Sequence, residues 1–313
     1  MQTYQNHKTW KDMQKYLPEN NRINSEVYPD EYYWEWQDNK IHIDFYKNDS
    51  SKAKLILLHG VGGNGRLLSF IGVPLYKRGY DVICPDLPGY GITQMGNNII
   101  DYNIWVNMVK GLIEIESKKD NKEIILFGLS AGGMLAYHAG CDNDKISGMI
   151  FTNLLDQRLQ EVRDSSALNK VVSRLGIYFI YLLNYINSEI KLPMKLVANM
   201  KEIVNNEEVL NLLIKDDKSS GAKVPVKFIT SMLNYKPEIE LENYKGCPVL
   251  LVHPENDRWT DVRLSKLSFD KLKCEKEIKI LEGAGHFPIE KSGLTQLEEY
   301  LVAFIQKIII RLT

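Results

Sequence analysis

The chain reads as an α/β fold, a mostly parallel sheet flanked by helices and interrupted by a helical insertion. Three observations predict it. Short continuous apolar runs, such as Leu55-Ile56-Leu57-Leu58 and Ile124-Ile125-Leu126-Phe127, fit strands buried on both faces. Segments of helical period separate them, as repeated βαβ units require. That alternation stops between residues 155 and 235 and then resumes.

The elements follow in order. Residues 1–25 form a polar lead-in with one short helix around Lys8 to Tyr16. Glu31 to Tyr46 alternates in polarity around Gln37-Asp38-Asn39-Lys40, the pattern of a hairpin. A strand ends at His59-Gly60, a helix spans Arg66 to Lys77, and Tyr80 to Pro85 is a second strand. Asp101 to Ser117 places Ile104, Trp105, Met108, Val109, Leu112 and Ile113 on one helical face. Glu123 to Gly128 is a strand, Ala131 to Gly140 a helix and Lys145 to Thr152 a strand. Val171 to Tyr185, Met194 to Met200 and Glu207 to Lys215 are helical candidates within the interruption. A strand at Pro248 to His253, a helix at Arg263 to Leu272, a strand at Glu277 to Leu281 and a helix at Leu294 to Ile310 complete the pattern. The core is therefore 1–154 and 236–313, with 155–235 inserted as a helical cap.

Composition narrows the function. With 44% hydrophobic and 25% charged residues the chain is neither disordered nor fibrous. A net charge of −1 excludes nucleic-acid binding through bulk basic charge. Cys84, Cys141, Cys247 and Cys274 are far apart and form no CxxC pair, so neither a zinc site nor a dense disulfide framework is expected. Met1 to Asn21 lacks the apolar core of a signal peptide, and the chain has no long apolar run. A reduced, cytoplasmic setting is the expectation.

Gly128-Leu129-Ser130-Ala131-Gly132 matches G-x-S-x-G, between an expected strand and an expected helix. A turn this tight needs small flanking residues, strains the serine backbone and lifts its Oγ clear of the sheet. With this motif the chain resembles the α/β-hydrolases, roughly over residues 30 to 310, and four further segments support the resemblance in order. His59-Gly60-Val61-Gly62-Gly63 matches the segment that supplies half of an oxyanion hole. The resemblance assigns the donors to the N–H groups of Val61 or Gly62 and of Ala131. Asp86-Leu87-Pro88-Gly89-Tyr90-Gly91 matches a structural turn, with Asp86 fixing it. His253-Pro254-Glu255-Asn256-Asp257 matches the loop of the triad acid, implying Asp257, with Pro254 where many relatives carry glycine. Glu255 and Asp156 stay open as rival acids. Gly283-Ala284-Gly285-His286-Phe287 matches the segment of the base, implying His286. His59 is expected to be structural, as are His7, His42, His138 and His253.

The order Ser130, Asp257, His286 is the hydrolase order. Serine rather than aspartate at the nucleophile position argues against dehalogenase and epoxide-hydrolase chemistry and for an acyl-enzyme. No metal or organic cofactor is implied. Gly60 to Gly65 has spaced glycines but lacks the context of a dinucleotide fingerprint. The layout resembles monoacylglycerol lipases and lysophospholipases, which implies a small-molecule acyl ester, lipid-like or of medium chain length. Ile177 to Leu183 is densely apolar, so Tyr178, Phe179 and Leu182 are expected to wall an acyl pocket; the same run also fits a helix buried on the core. Lys170, Arg174, Lys191 and Lys195 flank it and suit an anionic membrane surface. The same triad also serves amide, thioester and C–C bond hydrolysis, acyl transfer and aminopeptidase activity, and some relatives only bind a ligand.

Overall fold

The computed structural model describes residues 1–312. An eight-stranded sheet forms the centre. Its strands, in chain order, are β1 (Asp30–Trp36), β2 (Asn39–Tyr46), β3 (Ala53–Leu58), β4 (Asp81–Pro85), β5 (Glu123–Gly128), β6 (Ile146–Phe151), β9 (Val249–Pro254) and β10 (Lys276–Leu281). They lie in the order β1-β2-β4-β3-β5-β6-β9-β10. The hairpin β1–β2 joins β4 antiparallel, and every other pairing is parallel. All residues of β3, β4 and β9 are buried, which is why each carries an apolar run, residues 55–58, 82–84 and 249–252. Helices α2 (Ser69–Lys77), α3 (Tyr102–Ser117), α4 (Ala131–Gly140), α9 (Val262–Phe269) and α10 (Lys291–Leu312) flank the sheet.

The strand order positions the site. From β3 the chain moves to β4 on one side, then crosses back to β5 on the other. At such a reversal the loops leaving the carboxyl ends of neighbouring strands diverge and open a crevice. His59-Gly60 and Gly128-Leu129-Ser130 leave β3 and β5 at that point, and the loops after β6, β9 and β10 line up beyond them.

Between β6 and β9 lie α5 (Gln160–Ser166), α6 (Ile177–Ile186), α7 (Glu207–Lys215) and α8 (Val226–Leu233). A short antiparallel pair, β7 (Lys191–Pro193) and β8 (Lys223–Pro225), was not expected from sequence. The expected helix from Val171 divides into a π turn, Val172–Gly176, followed by α6. The expected helix at Met194 to Met200 is instead two 3-10 turns, Met194–Leu196 and Met200–Glu202. Pro193 starts the first of them, and each is too short to sustain an α-helical ladder.

The lead-in is more deeply engaged than its polar composition implies. Tyr4, Trp10, Met13 and Leu17 are buried around α1 (Lys8–Met13), and His7 Nε2 lies 3.4 Å from Asp216 of the insertion. A buried charged cluster anchors the segment. Arg66 donates two N–H groups to Asp44, at 2.5 and 2.8 Å, and lies 3.1 Å from Glu31. Its guanidinium stacks over the rings of Tyr4, Trp10 and Tyr28. Glu31, His42 and Asp44 converge with metal-ligand geometry, but Arg66 already supplies the positive charge they need.

His42 supplies a second positive charge. Its Nε2 is 3.2 Å from Glu31, and its Nδ1 is 3.2 Å from Asp86 at ion-pair range without hydrogen-bond alignment. Burial lowers its pKa, but Asp86, Glu31 and Asp44 outweigh burial and raise it to about 9 from 6.5. A group whose pKa is raised on folding stabilises fully below its unfolded value, and that contribution fades as pH climbs through the folded one. The melting temperature of the native chain should therefore fall between pH 7 and 10 by more than that of His42→Gln, a difference of a few kcal/mol in stability. Parallel melting curves for the two chains would mean that His42 is neutral throughout.

Candidate active site

Ser130 sits where β5 turns into α4. Its backbone has φ 56° and ψ −124°, a left-handed conformation that a non-glycine residue adopts at a cost. The surroundings force it. A Cβ on Gly132 would lie 2.2 Å from the Leu58 carbonyl oxygen, so any larger residue there would push the turn off the sheet. Gly60 makes the matching approach from β3, where a Cβ would fall 2.9 Å from Ser130 Cβ and 3.1 Å from the Ala131 nitrogen. Oxyanion segment and serine turn thus meet through backbone.

His286 Nε2 is 2.8 Å from Ser130 Oγ, and His286 Nδ1 is 2.8 Å from Asp257 Oδ2. Three side chains far apart in sequence form one continuous hydrogen-bonded line, with the His286 and Asp257 side chains almost fully buried. Asp257 accepts N–H groups from Trp259 and Thr260 on Oδ1, at 2.9 and 2.7 Å. Its Oδ2 also accepts the Thr260 hydroxyl and an Asn153 amide N–H. Burial pushes the Asp257 pKa up, but His286 and the Thr260 amide outweigh it and hold the carboxyl well below its usual range. An ionised Asp257 keeps the His286 proton on Nδ1 and leaves Nε2 free to accept the serine proton.

The rival acids are engaged elsewhere. Asp156 pairs with Arg158, and Glu255 accepts the Gly283 amide. The other histidines are likewise spoken for. His59 Nε2 accepts the Leu87 amide, so its proton is on Nδ1 and goes to the Gly60 carbonyl. Burial lowers its pKa to about 4, and it stays neutral. His138 meets the Tyr102 hydroxyl, while His7 and His42 face carboxylates. His253 donates from Nδ1 to the Pro254 carbonyl and accepts from Asn153 on Nε2. Asp86 takes N–H groups from Gly65 and Ile92 and the Tyr4 hydroxyl.

Val61, Ala131, Ser130 and His286 line one cavity, and Gly62 lines a smaller recess on the other side of Ser130. The Ala131 N–H is the first of α4, with no intrahelical acceptor. Among the described residues, neither it nor the Val61 N–H has an acceptor. Ser220, from the insertion, donates its hydroxyl to the Gly62 carbonyl and ties that loop down. Two unpaired donors beside a serine hydroxyl can hold a developing oxyanion.

Sequence reasoning missed a second half of this network. The Ser130 N–H donates to Thr152 Oγ1, and Thr152 donates to Asn153 Oδ1, at 3.0 and 2.9 Å. Asn153 Nδ2 then donates to Asp257 Oδ2 at 3.0 Å. Ser130, Thr152, Asn153, Asp257 and His286 thereby close a ring of hydrogen bonds. Thr-Asn at a strand end carries no motif, so nothing in the sequence flags the pair.

The expected pocket wall needs correction. Tyr178, Phe179 and Leu182 are 69%, 60% and 52% exposed and lie outside the cavity. Ile177 and Ile180, three residues apart on the opposite side of α6, line it instead, with Met194, Val197, Ile229 and Leu233. A helix apolar on all sides has no polarity pattern from which to read its phase. The space holds about 840 Å³ free of atoms, its open mouth included.

Sheet order, strained serine turn and hydrogen-bonded line together define an α/β-hydrolase. Residues 49–290 match the model of the serine aminopeptidase S33 family (Hydrolase_4), and the chain belongs to that family. It is 22% identical over 270 residues to a monoglyceride lipase homolog of monkeypox virus, covering 80% of this chain and 89% of that protein. A soluble variant of monoglyceride lipase from Saccharomyces cerevisiae, solved with a substrate analog, superposes with a TM-score of 0.76 at 19% identity. The match covers 92% of this chain and 98% of that one. The Paleococcus ferrophilus monoacylglycerol lipase gives 0.64 at 21% identity, over 86% and 98%.

If the ring positions Asp257, removing one member should slow serine reactivity without unfolding the chain. Asn153→Ala should reduce the rate of covalent labelling of Ser130 by a fluorophosphonate roughly tenfold, the effect of about one lost hydrogen bond. An unchanged rate with an unchanged circular dichroism spectrum would mean that Asn153 merely fills space.

Proposed function

We infer that this chain is a serine hydrolase of carboxylic esters that works through an acyl-enzyme on lipid-like or medium-chain acyl substrates. One observation carries the reading: the Ser130–His286–Asp257 line ends in a cavity walled by Ile177, Ile180, Met194, Val197, Ile229 and Leu233. Ser130 Oγ attacks the ester carbonyl as His286 Nε2 takes its proton. The Val61 and Ala131 N–H groups hold the oxyanion. Collapse expels the alcohol, which takes the proton from His286 and leaves the acyl group on Ser130. Water then attacks the acyl carbon as its proton passes to His286, and Ser130 recovers that proton as the acid departs.

The family description raises peptide hydrolysis as a second reading. An aminopeptidase must hold a charged amino terminus, which calls for a carboxylate in the pocket. Among the described residues, no Asp or Glu lines this cavity, which disfavours a cationic amino terminus beside the serine. The four unpaired cysteines suit a reducing compartment.

The outer side of the insertion fits a lipid source. Val171, Leu175, Tyr178, Leu182 and Tyr185 recur every three or four residues and are exposed, and the exposed Lys170, Lys191 and Lys195 flank them in sequence. No described helix is long and apolar enough to cross a membrane. The face is instead suited to lie in the interface, with the cavity wall formed by the same helix directly behind it.

Hydrolysis of p-nitrophenyl esters from acetate to palmitate should rise to a maximum at medium chain length. Ser130→Ala should abolish both that activity and fluorophosphonate labelling, a loss of several orders of magnitude. Turnover that survives in Ser130→Ala would sink the nucleophile assignment. In a separate test, the chain should sediment with vesicles of phosphatidylcholine and phosphatidylglycerol, and Tyr178→Asp with Leu182→Asp should return most of it to the supernatant. Equal binding by both chains would move the lipid contact elsewhere.

A further inference from the structure

Arg163 stands in the cavity wall with no counter-ion among the described residues. It lies on α5 and lines the same space as Ser130 and His286. The arginines around it are all matched: Arg158 pairs with Asp156 and Glu240, Arg174 with Asp164, and Arg263 with Glu161. Among the described residues, Arg163 has no carboxylate within ion-pair range. Its Nε–H is buried with no acceptor, and among the described residues its guanidinium makes one hydrogen bond, a 3.4 Å contact from Nη2 to the Arg158 carbonyl. A part-buried guanidinium in a largely apolar wall with its Nε–H buried and unpaired is a costly arrangement unless a ligand completes it.

Its placement is fixed with respect to the chemistry. Ser165 Oγ donates to the Trp259 carbonyl at 2.6 Å, and Trp259 Nε1–H donates to the Ser166 carbonyl at 3.1 Å. The Trp259 backbone N–H is one of the donors to Asp257, and its ring centre is 4.8 Å from that of His286. The helix that carries Arg163 is thus fastened to the loop that carries the triad acid. Gln157, Ser166 and Ser173 add polar groups from the insertion to the same cavity, and Arg163 is its one permanent charge.

We propose that Arg163 is a specificity-determining residue that binds an anionic oxygen group, a carboxylate or a phosphate, carried by the ester away from its scissile bond. The planar guanidinium matches either group with two parallel N–H donors. The preferred substrate is then an amphiphilic acyl ester with one negative charge rather than a neutral one. The proposal rests on the esterase reading for the word substrate, but the binding site itself does not depend on turnover.

The test measures binding to the Ser130→Ala chain by calorimetry, with two pairs of probes matched in chain length. Monomethyl sebacate against methyl decanoate places the charge on the acyl side. A decanoylglycerol phosphate against decanoylglycerol places it on the alcohol side. At least one anionic member should bind roughly tenfold more tightly than its neutral counterpart, as expected for a charge-assisted bidentate contact. That ratio should fall to about one in Ser130→Ala with Arg163→Gln, and Arg163→Lys should retain part of it. Which pair shows the preference tells which side of the ester faces Arg163. No preference in either pair, or a preference that survives Arg163→Gln, overturns the proposal. Failure of the native chain to hydrolyse any of the four esters would count against the esterase reading alone, because these binding ratios need no chemistry.

Discussion

A ring of hydrogen bonds through Ser130, His286, Asp257, Asn153 and Thr152 couples four strand ends of the sheet. It begins at the Ser130 N–H and ends at the Ser130 Oγ. Its members leave the carboxyl ends of β5, β6, β9 and β10, which are neighbours in the sheet but scattered along the chain. A ring of this kind closes only if four strand ends are in register. The parallel ladders therefore do more than hold the core; they set the hydrogen-bond distances between Ser130, His286 and Asp257. Inside a low-dielectric site each bond also polarises the next, so loss of one member weakens the others.

Two further sets of contacts bind the remaining parts to that ring. Trp259 joins Asp257, the face of His286 and the end of α5 in a single residue. Ser220 holds the Gly62 carbonyl, and the lead-in reaches the insertion through His7 and Asp216. The insertion is consequently tied to the loop that carries Asp257, to the loop of residues 60–63 and to the N-terminal segment. The buried Arg66 cluster beneath Tyr4 and Trp10 supplies the charge balance that lets the lead-in stay docked.

The parts of the site that were legible share one property: each places its chemistry within a few residues. The serine turn needs small residues at positions two away, and the segments with histidine and aspartate each follow a strand end. Thr152 and Asn153 escaped notice because their partners lie in other strands, so nothing local distinguishes them from an ordinary strand terminus. Tyr178, Phe179 and Leu182 were assigned to the cavity because composition shows that a helix is apolar but not which side faces inward. The polar lead-in misled for a related reason. Its few apolar residues, Tyr4, Trp10, Met13 and Leu17, carry the contact, and an average over the segment hides them.

The alternation of strands and helices, its break between residues 155 and 235, and the chain order of Ser130, Asp257 and His286 can all be read in the sequence. These follow from local physics: apolar period, tight-turn sterics and the residue types that proton transfer requires. Only the tertiary structure decided that Asp257 rather than Asp156 or Glu255 reaches His286. The same holds for the side of α6 that lines the cavity and for the unpaired Nε–H of Arg163 among the described residues. Each of these turns on a distance between atoms remote in sequence, and such distances are set by how the sheet and the insertion pack, which no stretch of residues encodes alone.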